Sequence, residues 1–217
     1  MIGPQDFAAA DPRDLAPRLA DAIHLWRLPY RHEQGRAPLR ALLADYLNVD
    51  AASLTLREDA HGKPRLLGQD ARDLQFNWSH SGGFAVVAIT RDLEVGVDIE
   101  QARTLRALEL SRRFFSVEEA EALARCDEAV CEQSFLQLWC AKEAVLKALG
   151  RGLAFGLRRV EFAREANQWR PLRFEAEAGP VAGWQVLPVV PATGCCGALA
   201  WRGRSRSVLA WSIARRA

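Results

Sequence analysis

At 217 residues, with 49% hydrophobic and 26% charged residues, the chain is long enough to bury a sizeable core as one large domain or two small ones. Its net charge of +2 and pI near 8.4 fall short of the basic footprint of a nucleic-acid binder, so that class is set aside. No apolar run approaches the roughly 20 residues of a membrane helix. The first residues, with Asp6, Asp11 and Asp14 among prolines, lack the basic-then-apolar form of a signal peptide, so a cytoplasmic protein without membrane contact is expected.

In chain order, residues 14–27 mix helix and strand signals. Residues 39–47 read as a helix with Leu39, Leu42, Leu43, Tyr46 and Leu47 inward. Short strands at 53–57 and 74–77 flank a loop holding Gly62-Lys63-Pro64. The β-branched run at 84–90 is a buried strand, and Arg91-Asp92 turns it into a second strand at 95–100. Helices are expected at 105–114, after the capping box Ser116-Val117-Glu118-Glu119, and at 134–149, where Gly150 and Gly152 stop the last one. The capping box makes Glu118 and Glu119 structural rather than catalytic. Strands follow at 158–162, 172–176, 183–190, 198–201 and 207–213.

Two of these elements carry chemistry. In Gly96-Val97-Asp98-Ile99-Glu100 the apolar residues alternate with the acids, so Asp98 and Glu100 share one face of a strand whose other face enters the core. Two oxygen donors on a rigid element suit a hard cation such as Mg²⁺, while two solvated acids on an edge strand are the bland alternative. On the helix, Phe135, Leu138, Ala141, Val145 and Leu149 form a core stripe. Trp139, Glu143 and Lys147 follow at four-residue steps on another face. An ordinary exposed Glu–Lys pair would account for Glu143 and Lys147, but Trp139 beside them suggests a ligand wall.

Five cysteines, an odd number without C-x-x-C spacing, and four scattered histidines indicate neither a disulfide framework nor a zinc site. Cys140 lies inside the charged helix without a local histidine and is expected to be a free, partly buried thiol. Gly62-Lys63 is no P-loop, since Arg57 stands where the first glycine belongs and Pro64 replaces Ser or Thr. Gly150-Arg151-Gly152 follows a helix, which excludes a dinucleotide fingerprint.

The two charged stretches, Gly96 to Glu100 and Trp139-Cys140-Ala141-Lys142-Glu143-Ala144-Val145-Leu146-Lys147, resemble the paired signatures of the 4′-phosphopantetheinyl transferases, G-[VI]-D-[IV]-E and W-x-x-K-E-[AS]-x-x-K. They occur in the family's order, followed by its Gly-x-Gly-Leu as Gly150-Arg151-Gly152-Leu153. Gly62-Lys63-Pro64, Phe76-Asn77-Trp78-Ser79-His80-Ser81 and Arg112-Arg113-Phe114-Phe115-Ser116 resemble further family blocks, so the likeness runs from about residue 31 to 157. Cys140 departs from the Ser or Thr more usual there. Length and blocks resemble the monomeric, double-length branch that serves secondary metabolism rather than the short trimeric branch.

The resemblance implies an α+β fold of two similar halves related by a pseudo-twofold, residues 1–103 and 104–217, with the active site in the cleft between them. It implies Mg²⁺, or alternatively Mn²⁺, held by Asp98, Glu100 and Glu143, with Asp98, Glu143 and Lys147 catalytic. Arg31, Arg36, Lys63, Ser79, His80, Lys142 and Lys147 would bind coenzyme A through its phosphates and ribose. A serine of an apo acyl, peptidyl or aryl carrier protein would attack the pantetheine-bearing phosphorus and expel 3′,5′-ADP, with a metal-bound water or Glu143 as base. Basic residues gather at Arg27, Arg31, Arg36 and Arg40, at Arg103, Arg106, Arg112 and Arg113, and at Arg202, Arg204, Arg206, Arg215 and Arg216. Either of the first two clusters suits coenzyme A phosphates or an acidic carrier helix. A metal-dependent pyrophosphohydrolase and a non-catalytic binding module are the rival classes, the second disfavoured by the complete set of acids and lysines.

Overall fold

The computed structural model describes residues 1–68 and 73–213, so Arg215 and Arg216 lie outside the described residues. The N-terminal part runs β1 (Ala8–Ala10), α1 (Pro12–Leu15), β2 (Ile23–Pro29), α2 (Ala37–Leu47), β3 (Thr55–Glu58), β4 (Pro64–Leu67), β5 (Leu74–Ser81), β6 (Phe84–Arg91) and β7 (Val95–Gln101). Three helices follow, α3 (Ala107–Phe114), α4 (Val117–Ala124) and α5 (Glu128–Leu149). The chain then forms β8 (Val160–Glu165), β9 (Gln168–Phe174), β10 (Trp184–Val189), β11 (Cys195–Arg202) and β12 (Val208–Ile213).

The fold is α+β, in four layers. A five-stranded sheet has the order β1-β12-β2-β6-β5, and a three-stranded sheet the order β10-β11-β7; β3-β4 and β8-β9 are separate hairpins. Leu39, Leu42, Leu43 and Tyr46 of α2 pack on one face of the large sheet, against Trp26, Leu28, Val87 and Ile89. Its other face, with Leu25, Val86 and Ala88, packs on Val95, Val97, Ile99 and Leu199 of the smaller sheet. Behind the smaller sheet lies α5, buried along most of its length. Burial on several sides explains why its sequence is apolar at more positions than one helical stripe requires.

Neither half of the sequence is a closed unit. β6 and β7, separated by a turn with Asp92 at φ 53°, part to different sheets: β6 pairs with β2 and β5, and β7 pairs with β11. The last strand, β12, runs back into the first sheet, parallel to both β1 and β2. A cut after residue 103 therefore separates β7 from β11 and β12 from β2. Each half completes its sheet with a strand from the other, which ties the acidic strand to the C-terminal half.

Close packing explains the glycine that opens the acidic motif. A Cβ on Gly96 would fall 2.0 Å from the Ala144 carbonyl oxygen and 2.4 Å from the Ala148 nitrogen, so only glycine lets β7 lie directly on the α5 backbone. Gly197 on β11 is similarly confined, its Cβ position 2.5 Å from the Asp98 carbonyl oxygen. The remaining helix ends follow local chemistry. Ser116 and Glu119 form the expected capping box, with Ser116 N–H to Glu119 Oε2 at 2.9 Å and Glu119 N–H to Ser116 Oγ at 3.2 Å. Gly150 ends α5 at φ 68°, a left-handed cap.

Candidate active site

β7 is an edge strand, and antiparallel pairing with β11 leaves every second N–H pointing outward. Three side chains of β5 meet those groups. Asn77 Oδ1 accepts from Val97 N–H at 2.8 Å, Ser79 Oγ from Ile99 N–H at 3.4 Å, and Ser81 Oγ from Gln101 N–H at 3.0 Å. The spacing i, i+2, i+4 puts all three on one face of β5, so a side-chain ladder replaces the backbone ladder that would otherwise join the strands. The same hydroxyls also aim the acids: Ser79 donates to Asp98 Oδ1 at 2.9 Å and Ser81 to Glu100 Oε2 at 3.1 Å.

Helix α5 completes the site from the other side. Lys147 Nζ lies 2.7 Å from Asp98 Oδ1 and 3.2 Å from the Val97 carbonyl oxygen. Asp98 is 6% exposed and Glu143 7%. Burial, then the negative charges of Asp98 and Glu100, push the Glu143 carboxyl up to about 7 against the opposing pull of Lys147. Among the described residues, Asp98 Oδ2 is a buried oxygen with no hydrogen-bond partner. A cleft of about 330 Å³ opens here between residues of both halves; Arg36, Lys63 and Trp78 line it with Glu143, Lys147 and Gly150.

The donor set suits a hard divalent cation, which takes oxygen ligands and would satisfy the orphaned Asp98 oxygen while relieving the repulsion felt by Glu143. Among the described residues, no three His, Cys, Asp or Glu side chains form a ready-made metal cage. Mg²⁺ does not require one, since it is commonly bound by one or two carboxylates with waters and substrate phosphates. Glu100 lies on the same β7 face as Asp98, and its carboxylate is held by Ser81 and by Arg103 at 2.7 Å.

A protein-family model described as the 4′-phosphopantetheinyl transferase superfamily matches residues 94–186, the span that contains both motifs. The 4′-phosphopantetheinyl transferase HetI of Nostoc sp. is 30% identical over 219 aligned positions, covering 85% of this chain and 90% of that protein. The chain belongs to the 4′-phosphopantetheinyl transferase superfamily. Human L-aminoadipate-semialdehyde dehydrogenase-phosphopantetheinyl transferase is 34% identical over 139 positions, 59% of this chain and 45% of that protein. A phosphopantetheinyl transferase of Thraustochytrium sp. is 34% identical over 145 positions, 61% of this chain and 50% of that protein. The chain thus spans nearly all of the first relative and about half of the other two.

Several residues expected at this transferase site lie elsewhere. Lys142 does not reach the cleft. It is 0% exposed, with Nζ 2.6 Å from Glu119 Oε1, 3.0 Å from the Leu157 carbonyl oxygen and 2.5 Å from that of Val160. Burial lowers the Lys142 pKa and the neighbouring Glu119 carboxylate opposes it. Trp139 is no ligand wall, because it packs on Phe114, Phe115 and Phe135 in the C-terminal core. Lys63 borders the cleft, but its ammonium is held by Glu94 at 2.7 Å.

Arg36 lines the cleft and pairs with Glu58. Arg31 is exposed before the turn at residues 32–34, with its backbone N–H on Gln34 Oε1 at 2.7 Å. His80 is exposed and stacks on Tyr30 with ring centres 4.5 Å apart. Burial of its ring, then the His32 and Lys147 charges, lower its pKa. Cys140 is a fully buried free thiol. Sequence reasoning gave no individual role to Asn77, Gly96 or Glu94. The polar alternation Asn77-Ser79-Ser81 was the available signal for the first, since three short polar side chains on one face of a strand mark an unusual neighbour.

Proposed function

We propose that this protein transfers 4′-phosphopantetheine from coenzyme A to a serine hydroxyl of an apo acyl, peptidyl or aryl carrier protein, releasing 3′,5′-ADP. The observation that carries this reading is that Glu143 and Lys147 line one cleft while Lys147 pairs with Asp98, whose other carboxylate oxygen is buried and has no partner among the described residues. Asp98 and Glu143 would hold Mg²⁺, with Glu100 joining if it leaves Arg103, and the ion would neutralise charge that develops on the diphosphate.

The side chains then have separable tasks. Lys147, fixed against Asp98 and the Val97 carbonyl, offers an ammonium to a phosphate oxygen. Arg36 at the cleft wall and His80, beside the cleft-lining Trp78, would contact the outer phosphates and the ribose. Glu143 supplies an oxygen ligand or accepts the proton that the attacking serine loses. Ser79 and the β5–β7 ladder hold Asp98 in place, so the chemistry rests on positioning and electrostatics without a covalent enzyme intermediate.

The test is mass spectrometry of an apo carrier protein incubated with the enzyme, coenzyme A and Mg²⁺. Gain of the phosphopantetheine mass on the carrier supports the reading. Consumption of coenzyme A without carrier modification would instead establish a pyrophosphohydrolase, and no change in either would leave a binding module.

A further inference from the structure

Lys63 joins three motifs that the sequence keeps far apart. Its side chain is 6% exposed, and Nζ has three acceptors: Glu94 Oε2 at 2.7 Å, the Val95 carbonyl oxygen at 3.3 Å and the Lys147 carbonyl oxygen at 3.0 Å. An ammonium has three N–H bonds, so every donor is engaged. The acceptors are the residue just before β7, the first residue of β7, and the residue of α5 whose own side chain reaches Asp98. A cation on the last carbonyls of a helix is also favoured by the helix dipole.

The backbone of Lys63 is equally fixed. Its N–H donates to Asp59 Oδ1 at 3.0 Å, and its carbonyl accepts from Asp59 N–H at 2.9 Å. Two residues on, Arg65 binds Glu94 and, at 2.9 Å, Gln75 Oε1. A rigid hairpin therefore presents a fully satisfied ammonium to the end of the catalytic helix. Contact with a substrate phosphate would require breaking these buried bonds of the ammonium.

We propose that Lys63 is a positioning residue, holding the last turn of α5 against the start of β7 so that Lys147 stays in register with Asp98, and that it does not bind coenzyme A phosphate. This rests on the transferase reading above. Loss of the clamp lets Lys147 drift from the geometry in which it meets Asp98 and the reacting phosphate, and displacement of about 1 Å can cost about a hundredfold in rate.

Steady-state kinetics with coenzyme A varied, carrier saturating and Mg²⁺ fixed decide between the roles. Lys63→Met should lower kcat by about tenfold to a hundredfold while KM for coenzyme A stays within about threefold. Glu94→Gln should move kcat in the same direction by less, again without a large KM change. A rise in KM of about tenfold or more, with kcat recovered at saturating coenzyme A, would make Lys63 a phosphate ligand and overturn the proposal. So would a lower KM in Glu94→Gln, which would mean that freeing the ammonium helps substrate bind. If Lys63→Met does not fold, Glu94→Gln decides alone, its side chain being 46% exposed. Amide hydrogen exchange at residues 147–151 separates this question from the activity itself. Faster exchange confined to that turn in Lys63→Met is expected, and unchanged exchange counts against the clamp whether or not the protein transfers phosphopantetheine.

Discussion

Helix α5 carries two lysine–carboxylate pairs five residues apart, about 140° around the helix from one another. On one side, Lys142 and Glu119 are both 0% exposed and fully engaged: Lys142 takes two carbonyls, and Glu119 accepts from the backbone of Phe162 and Ser116. On the other, the Lys147 side chain is 25% exposed, and Asp98 keeps one buried oxygen without a partner among the described residues. The first pair has no capacity left for a ligand, whereas the second opens on a cleft with capacity to spare. Spare hydrogen-bonding capacity, more than charge or motif membership, separates the lysine that builds the fold from the one proposed to act on substrate.

The sharpest way to break that contrast is to remove Lys142. Lys142→Met leaves Glu119 charged and buried, and should destabilise the protein by about 3 to 5 kcal/mol in denaturant unfolding. Adding Glu119→Gln should recover part of the loss, because the amide oxygen can still accept from the backbone. A cost below about 1 kcal/mol together with weaker coenzyme A binding would return Lys142 to the substrate and erase the distinction.

The second pair should respond in rate. Lys147→Ala removes one preorganised donor and should raise the transfer barrier by about 2 to 4 kcal/mol, or roughly thirtyfold to a thousandfold in kcat. Thermal stability should move far less, since the side chain is partly solvated. A kcat within about twofold of the parent would remove Lys147 from the transition state.

The pair at Lys147 was legible in the sequence because both signatures combine a strict period with side chains that the period alone leaves unexplained: acids opposite an apolar strand face, and charges four apart on a helix. Lys142 misled for a related reason. Helical spacing puts it on the core stripe, seven residues after Phe135 and seven before Leu149, but its charge and place in the motif pointed to phosphate, and the Glu119 carboxylate and Val160 carbonyl that hold it come from α4 and β8, joined to α5 only by folding. Trp139 failed in the same way, its aromatic neighbours Phe114 and Phe115 belonging to another element. Elements were easier to read than their partners. The turn at Asp92 joins the two expected strands, yet β6 and β7 go to separate sheets, because a local turn signal carries no information on which edge a strand will meet.

A buried titratable group without a countercharge tests the other limit of the comparison. His24 is fully buried, its Nδ1 2.6 Å from Tyr46 Oη, and burial lowers its pKa to about 4 despite a backbone hydrogen bond that raises it. The folded state therefore takes up this proton later than the unfolded chain, whose histidine titrates near 6.5. Its stability contribution is complete above 6.5 and is lost as pH falls towards 4, with about 2 kcal/mol gone by pH 5. Denaturant unfolding of the parent and His24→Asn at pH 7 and pH 5 measures this. The variant should lose less stability over the interval, and equal losses would mean that His24 is not held neutral.

Arg103 gives the smallest effect on stability and the finest test of the acid cluster. Its side chain is 56% exposed and pairs with Glu100 at 2.7 Å, an arrangement worth about 0.2 to 1 kcal/mol, so Arg103→Ala should unfold almost like the parent. Divalent-ion dependence should nevertheless change if Glu100 is a ligand. The guanidinium competes for the same carboxylate oxygen that an ion would use, and removing it frees an acid on the face already shared by Asp98. Half-saturation by Mg²⁺ should then fall by about twofold to fivefold, the consequence of relieving one partly solvated competitor. An unchanged Mg²⁺ requirement would leave Asp98 and Glu143 as the only protein ligands and make Glu100 an anchor for Ser81 and Arg103, on the structural side of the divide that Lys142 and Lys147 define.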